Sequence, residues 1–151
     1  MSDEEILTKL FKGQLDLPDV ASDWLLDIYE VFQTFDDYAD GDTVSRDRLD
    51  ILIYRTLVVL PTNHFFLQYV HLLSPVLSLA IMKWKASDTM EKSGQANENS
   101  FSWRASYYDL VLAVVSITHG PNIAMKTAHT VLSMYGEKYS DYAKEFKCQP
   151  L

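Results

Sequence analysis

The chain has 151 residues, the size of one domain and enough to bury about two-thirds of its unfolded surface without disulfides or metal. A hydrophobic content of 48% with 13% aromatics excludes wholesale disorder, and five Gly with five Pro leave few tight turns for an all-β fold. A formal charge of −8 works against binding nucleic acid or an anionic membrane surface, while permitting cation binding or occupation of another protein's nucleic-acid groove.

The N-terminal MSDEEILTKLF opens acidic, without the basic stretch and long apolar run of a signal peptide. With Cys148 as the only cysteine there is no internal disulfide and no cysteine-based zinc site, so the expected setting is a reducing cytoplasm, a cell's own or an infected host's. Ser2 and Glu5 stand at capping-box spacing and predict a first helix from Glu4 to Lys12, ended by Gly13. After a connector at Leu15 to Pro18, a second helix begins near Asp19 or Ser22 and runs to about Ala39, with Gly41 at the C′ position.

That second helix has two faces. Trp24, Leu25, Ile28, Val31, Phe32, Phe35 and Ala39 cover one arc, while Asp23, Asp27, Glu30, Thr34 and Asp37 stand in line on the other, an acidic ladder. Like charges so spaced repel by a few tenths of a kcal/mol each unless a cation relieves them, so the ladder is either a solvated face or a cation site. Beyond it, Ser45 caps a third helix to about Leu60. Pro61 stops that helix, and Asn63 caps the next.

From Phe65 through Met82 there is no formally charged side chain, and residues 63–88 are expected to form the central helix of the fold. The stretch is long enough to span a membrane. At 100° per residue, however, His64, Gln68, His71, Pro75 and Ser78 fall within about 80° of one another, a single polar line along an apolar cylinder. That line, with no Lys/Arg cluster at either end, assigns the helix to a protein interior, not to a bilayer. Pro75 predicts a kink near His71.

Residues 86–100 have almost nothing to bury and read as a frayed helix end and a polar loop. Ser102 to His119 is the next helix, closed by Gly120-Pro121. Asn122 caps another helix to about Tyr135, and Glu137 to Phe146 makes a short last one anchored by Tyr139, Tyr142 and Phe146. There is no internal repeat and no coiled-coil heptad. The expected fold is all-α, a single compact bundle of five or six helices around the central apolar helix.

Asp109 is one carboxylate inside an apolar helix, on a stripe of small residues with Ser102, Ser106, Ala113 and Ser116. If that stripe meets the central helix, Asp109 faces His64 or His71. A carboxylate holding an imidazole suits proton transfer, so these three are the candidate catalytic residues; a structural buried hydrogen bond is the alternative. His64 and His71 are two turns apart, too far to share one ion directly.

The string FDDYADGD carries Asp36, Asp37 and Asp40 in a DDxxD pattern that resembles the first aspartate-rich motif of the isoprenyl diphosphate synthases. The resemblance implies that these three are magnesium ligands. Those enzymes pair the motif with a second one on a facing helix and are about twice as long; this chain has no second motif, so their activity does not carry over. Size, acidity and the helical pattern ending YGEKYSDYAKEF resemble the small cytoplasmic proteins of tailed bacteriophages, a resemblance that brings no residue-level role.

Two functions from different classes follow. One is a helical interaction or regulatory protein without direct nucleic-acid or membrane binding, whose partner is itself or another protein and whose Tyr-rich C-terminal helix is shared between subunits. The other is a hydrolase or transferase of phosphorylated compounds, with Mg²⁺ on Asp23, Asp27, Asp36, Asp37 or Asp40 and acid/base work by His64, His71 or Asp109.

Overall fold

The computed structural model describes residues 1–148, and among these the chain is all-α, with no strand. The contacts gather into two units, Met1–Val70 and His71–Leu151.

Unit 1 opens with α1 (Asp3–Lys9), whose capping box forms as its sequence requires. The Ser2 hydroxyl accepts from the Glu5 amide at 3.2 Å, and the Glu5 carboxylate accepts from the Ser2 amide at 2.8 Å. Gly13 does not end the helix. A wider π-type turn over Leu10–Gln14 carries the backbone through it, and Phe11, Leu15 and Leu17 are buried beyond. In α2 (Asp19–Ala39), Trp24, Leu25, Ile28 and Val31 point inward and Trp24 stacks flat on Phe66, ring centroids 5.6 Å apart. Phe35, expected on the same arc, is instead exposed. Gly41, at φ 80°, supplies the left-handed residue that closes α2.

Ser45 caps α3 (Arg46–Tyr54) by accepting from the Arg48 amide. The helix passes through a second π-type turn, Arg55–Val59, into the short α4 (Leu60–Thr62). Pro61 does not stop this helix, which runs one residue past it to Thr62 and ends at the extended backbone of Asn63. Asn63 then caps the next helix, accepting from the Phe66 amide at 3.0 Å while its own amide donates to the Val20 carbonyl at 3.0 Å.

That helix, α5 (His64–Lys92), is interrupted at Tyr69, whose φ −118°, ψ 22° leaves the helical region two residues before the kink expected near His71. Unit 2 contains the rest of it, together with α6 (Glu98–Arg104), α7 (Tyr107–His119), α8 (Pro121–Leu132) and α9 (Tyr139–Glu145). The helix at the heart of unit 2 is α7. Leu110, Val111, Val114 and Val115 are closed off from solvent, and α7 packs on α8 across Gly120, whose φ of 89° makes the turn.

Two boundaries in unit 2 differ from the sequence expectation. The supposed loop at 86–100 is helical to Lys92, because Asp88 is buried between Lys92 at 2.6 Å and Lys85 at 3.7 Å, and Ser87 donates to the Ser100 carbonyl at 2.7 Å. Asn97 then caps α6 in a reciprocal box with Ser100. The helix expected over Ser102 to His119 is broken at Ala105 and Ser106, where the Ser106 hydroxyl donates to the Ala80 carbonyl at 2.8 Å.

The aromatic residues of the C-terminal region pack on one another within the unit. Phe101 contacts the rings of Tyr135, Tyr139 and Tyr142, and Arg104 lies over Tyr142 and Phe146 at 5.1 and 5.6 Å from their centroids. Tyr142 is fully buried, and its hydroxyl meets the Ser100 hydroxyl at 2.7 Å. Arg104 also pairs with Glu137 at 3.3 Å, and the Tyr135 hydroxyl donates to the same carboxylate. Burial, then that carboxylate, pushes the Tyr135 phenol well above its ordinary range.

Candidate functional site: the outward face of α5

The acidic ladder of α2 is neutralised from within unit 1. Lys12 lies 3.4 Å from Asp19 and 3.8 Å from Asp23, Arg55 pairs with Asp27 at 3.2 Å, and Arg48 reaches Asp37 at 2.8 Å and Thr34 at 3.4 Å. Arg48 and Arg55 are seven apart, two turns of helix, and so project on one side of their own segment toward α2. That spacing was the available signal for the pairing. Between them lies a shallow groove of about 110 Å³ with Val31 and Leu52 among its lining and Glu30 and Thr34 on the α2 side.

The five carboxylates proposed as metal ligands therefore do not converge. Asp23 turns to Lys12, Asp27 to Arg55 and Asp37 to Arg48, while Asp36 and Asp40 stand at the last turn of α2, Asp40 exposed. Among the described residues no three of His, Cys, Asp and Glu come together in a way that could hold an ion. The DDxxD string places its first two aspartates about 100° apart around the helix, and the cation that takes Asp37 is an arginine.

Burial raises the Asp27 carboxyl above its ordinary value against the opposing pull of Arg55, with Asp23 adding to the rise. For a carboxyl raised in this way, the stability contribution is complete below its unfolded pKa and is lost as pH climbs through the folded one. Ionised Asp27 thus weighs on unit 1 at neutral pH, and Arg55 offsets part of that weight. Arg55→Gln is expected to destabilise by about 1 kcal/mol at pH ~7 and by less at pH ~4, as falling pH returns the proton to Asp27. Urea denaturation of both proteins at the two pH values checks this.

The candidate catalytic residues also separate. Asp109 takes the ammonium of Lys83 at 2.7 Å, and Lys83 lies over the Trp103 ring at 5.8 Å. His64 and His71 are exposed, and neither hydrogen-bonds to Asp109. The small-residue stripe does meet α5, but through Ser106 and the Ala80 carbonyl, and the partner for Asp109 is the lysine immediately after the uncharged run.

What the structure assembles instead is a surface. The expectation that α5 is wrapped by protein is overturned: of its most apolar eighteen-residue window, mean hydropathy 1.7, only 17% is buried. By length and composition it is a helix that could cross a membrane. In unit 2 its inner side is narrow and made partly of small residues, with Leu73, Ala80 and Ser87 closed off. The polar line of His71, Pro75 and Ser78, joined by Ser74, looks outward. Beside it stand Leu72 at 47%, Leu79 at 57%, Ile81 at 47% and Met82 at 62% exposure.

A row of half-open branched and thioether side chains on one rigid helix is unusual for a surface facing only water. Chemically it offers shape and apolar area, with serine and imidazole groups for hydrogen bonds, and no constellation that activates a nucleophile. Sequence reading found the polar line but missed Leu72, Leu79, Ile81 and Met82, because their apolarity carries no mark of which side the chain itself will cover. No family model, curated protein or solved structure matches the chain.

Proposed function

We propose that this protein is a helical interaction module that acts by association, with itself in the first place, through the outward face of α5. The observation that carries the reading is the exposure of Leu72, Leu79, Ile81 and Met82 on a helix whose apolar window is almost entirely uncovered. Burying such a side chain completely is worth about 1.5–3 kcal/mol, and these are about half covered already, so covering the face adds roughly half of that for each. The acidic charge keeps the chain soluble and self-repelling, a repulsion that the apolar contact has to exceed. A cytoplasmic setting, in a cell or an infected host, belongs to this reading.

Sedimentation velocity over a range of protein concentrations tests it. A species of at least twice the 17.3 kDa chain mass is expected at about micromolar concentrations. A single species at the chain mass throughout would overturn the reading.

A further inference from the structure

We infer that unit 1 carries a second docking surface, the face of α3 beside its groove with α2, and that its occupant is a basic amphipathic helix of another protein. The surface lies wholly within unit 1 and does not depend on association through α5. The net charge of the chain is not spread along it. Residues 1–70 hold 14 Asp and Glu against 5 Lys and Arg, a formal charge of −9, whereas residues 71–151 hold 7 against 8, a charge of +1. The acidity of the chain therefore belongs to unit 1.

On α3 that acidity is mixed with apolar surface. At 100° per residue Asp47, Asp50, Ile51 and Tyr54 fall within about 100° of one another. Val58, four residues after Tyr54, continues the row at the π-type turn. Both aspartates are exposed, and Ile51, Tyr54 and Val58 are exposed to 50%, 61% and 40%. Leu52 and Leu60 hold the inward side of the same segment.

Ile51 is also a wall of the groove against α2, together with Val31 and Leu52. Arg48 and Arg55 line the groove too, but each is matched by a carboxylate, Asp37 and Asp27. Glu30 is the ladder carboxylate without a cationic partner among the described residues. With Asp27 and Asp37 counted, the charge that remains in the groove is that of Glu30. Apolar walls with one unmatched carboxylate complement a lysine, whose methylene stem lies on the walls while its ammonium meets the carboxylate. A helix that carries such a lysine one turn from aliphatic residues fills the groove and covers Ile51, Tyr54 and Val58 in one contact.

Charge selects this occupant over the others. A second copy seated on this face in a two-fold pair brings one acidic unit against another, and an anionic lipid surface is repelled in the same way. A cationic helix is drawn by the whole field of unit 1 and then held by the apolar row.

Fluorescence anisotropy tests the inference with a labelled amphipathic peptide of leucine and lysine, about 20 residues long. The comparison peptides are the same sequence with glutamate for lysine, and an oligolysine of equal charge. Binding of the leucine–lysine peptide at about micromolar concentration is expected in about 50 mM salt, weakening at least about tenfold by about 300 mM. Tyr54→Ser/Val58→Ser removes apolar area at constant charge and should weaken it about tenfold. Glu30→Gln removes one charge at nearly constant shape and should weaken it about threefold. Urea midpoints establish that both variants are folded. No binding of the leucine–lysine peptide overturns the inference. Equal binding of oligolysine overturns the docking face, and equal binding of the glutamate peptide overturns its cationic occupant. Affinity lost in Leu79→Ser/Met82→Ser instead of in the α3 variant places the peptide on α5 and overturns the inference as well. Sedimenting dimers that Tyr54→Ser/Val58→Ser dissociates make a second copy the occupant, with the same result.

Discussion

Ile81→Lys is expected to lower self-association by at least about 100-fold while leaving the protein folded. Ile81 is half exposed in the single chain, so a lysine there meets water and costs the fold little. In the associated form it would lose the further burial of a large aliphatic side chain and bring an ammonium into the contact, together about 3 kcal/mol. The control lies on the same helix. Leu73 is fully closed off on the inner side, and Leu73→Ala should cost about 2–5 kcal/mol of stability in unit 2, yet leave the association of the folded protein unchanged. Sedimentation and urea denaturation of the two variants give opposite patterns if the outward face is the binding surface. Equal loss of association in both, with equal loss of stability, would mean that association only reports folding.

Tyr142→Ala is expected to be the most damaging single truncation of the C-terminal region, at about 3–5 kcal/mol. The ring is fully enclosed and touches Phe101 and Phe146 at centroid distances of 5.2 and 4.8 Å, with the Arg104 guanidinium over it at 5.1 Å. Its removal leaves a cavity and takes the aromatic face from a cation that is itself mostly buried. Tyr142→Phe keeps the ring and deletes only the hydroxyl bond to Ser100. Ser100 retains its bonds to the Asn97 amide and carbonyl, so this change should cost only about 0.5–1.5 kcal/mol. Thermal and urea unfolding followed by circular dichroism resolve the two. A Tyr142→Ala protein as stable as Tyr142→Phe would show that the ring cluster contributes little.

Local chemistry made much of the fold legible. Ser2 with Glu5, Ser45, Asn63 and Gly41 each end or begin a helix as their side chains or backbone freedom dictate. The features that escaped depend on distant groups. Asp88 and Ser87 are hydrophilic in composition, yet they are buried because Lys92, Lys85 and the Ser100 carbonyl satisfy them. The break at Ser106 has no Gly or Pro to announce it and is fixed by a hydroxyl reaching Ala80. Neither π-type turn carries a residue signature, since widening a turn by one residue exchanges one carbonyl for the next.

The same division applies to the site. The alignment of Asp23, Asp27 and Asp37 was readable from spacing, but the side chains facing them belong to other segments, and Lys12, Arg48 and Arg55 make the ladder an internal salt-bridge face. Asp109 drew attention as a lone carboxylate in an apolar helix. Its partner, Lys83, sits just past the uncharged stretch, where a flexible side chain of four methylenes reaches back to it. The polar line of α5 was visible, and only the arrangement of the other helices decides that it faces out.

The division of contacts at Val70 and His71 has a consequence for biosynthesis. Every element of unit 1, with the stacking of Trp24 on Phe66, is complete by residue 70. The N-terminal half can therefore fold as it leaves the ribosome, while the outward face of α5 is still within the exit tunnel. The apolar face of α5 emerges only after a folded unit has been built at its head. It then has a short wait, because α7, the core on which its inner side depends, follows within about two to seven seconds of further synthesis.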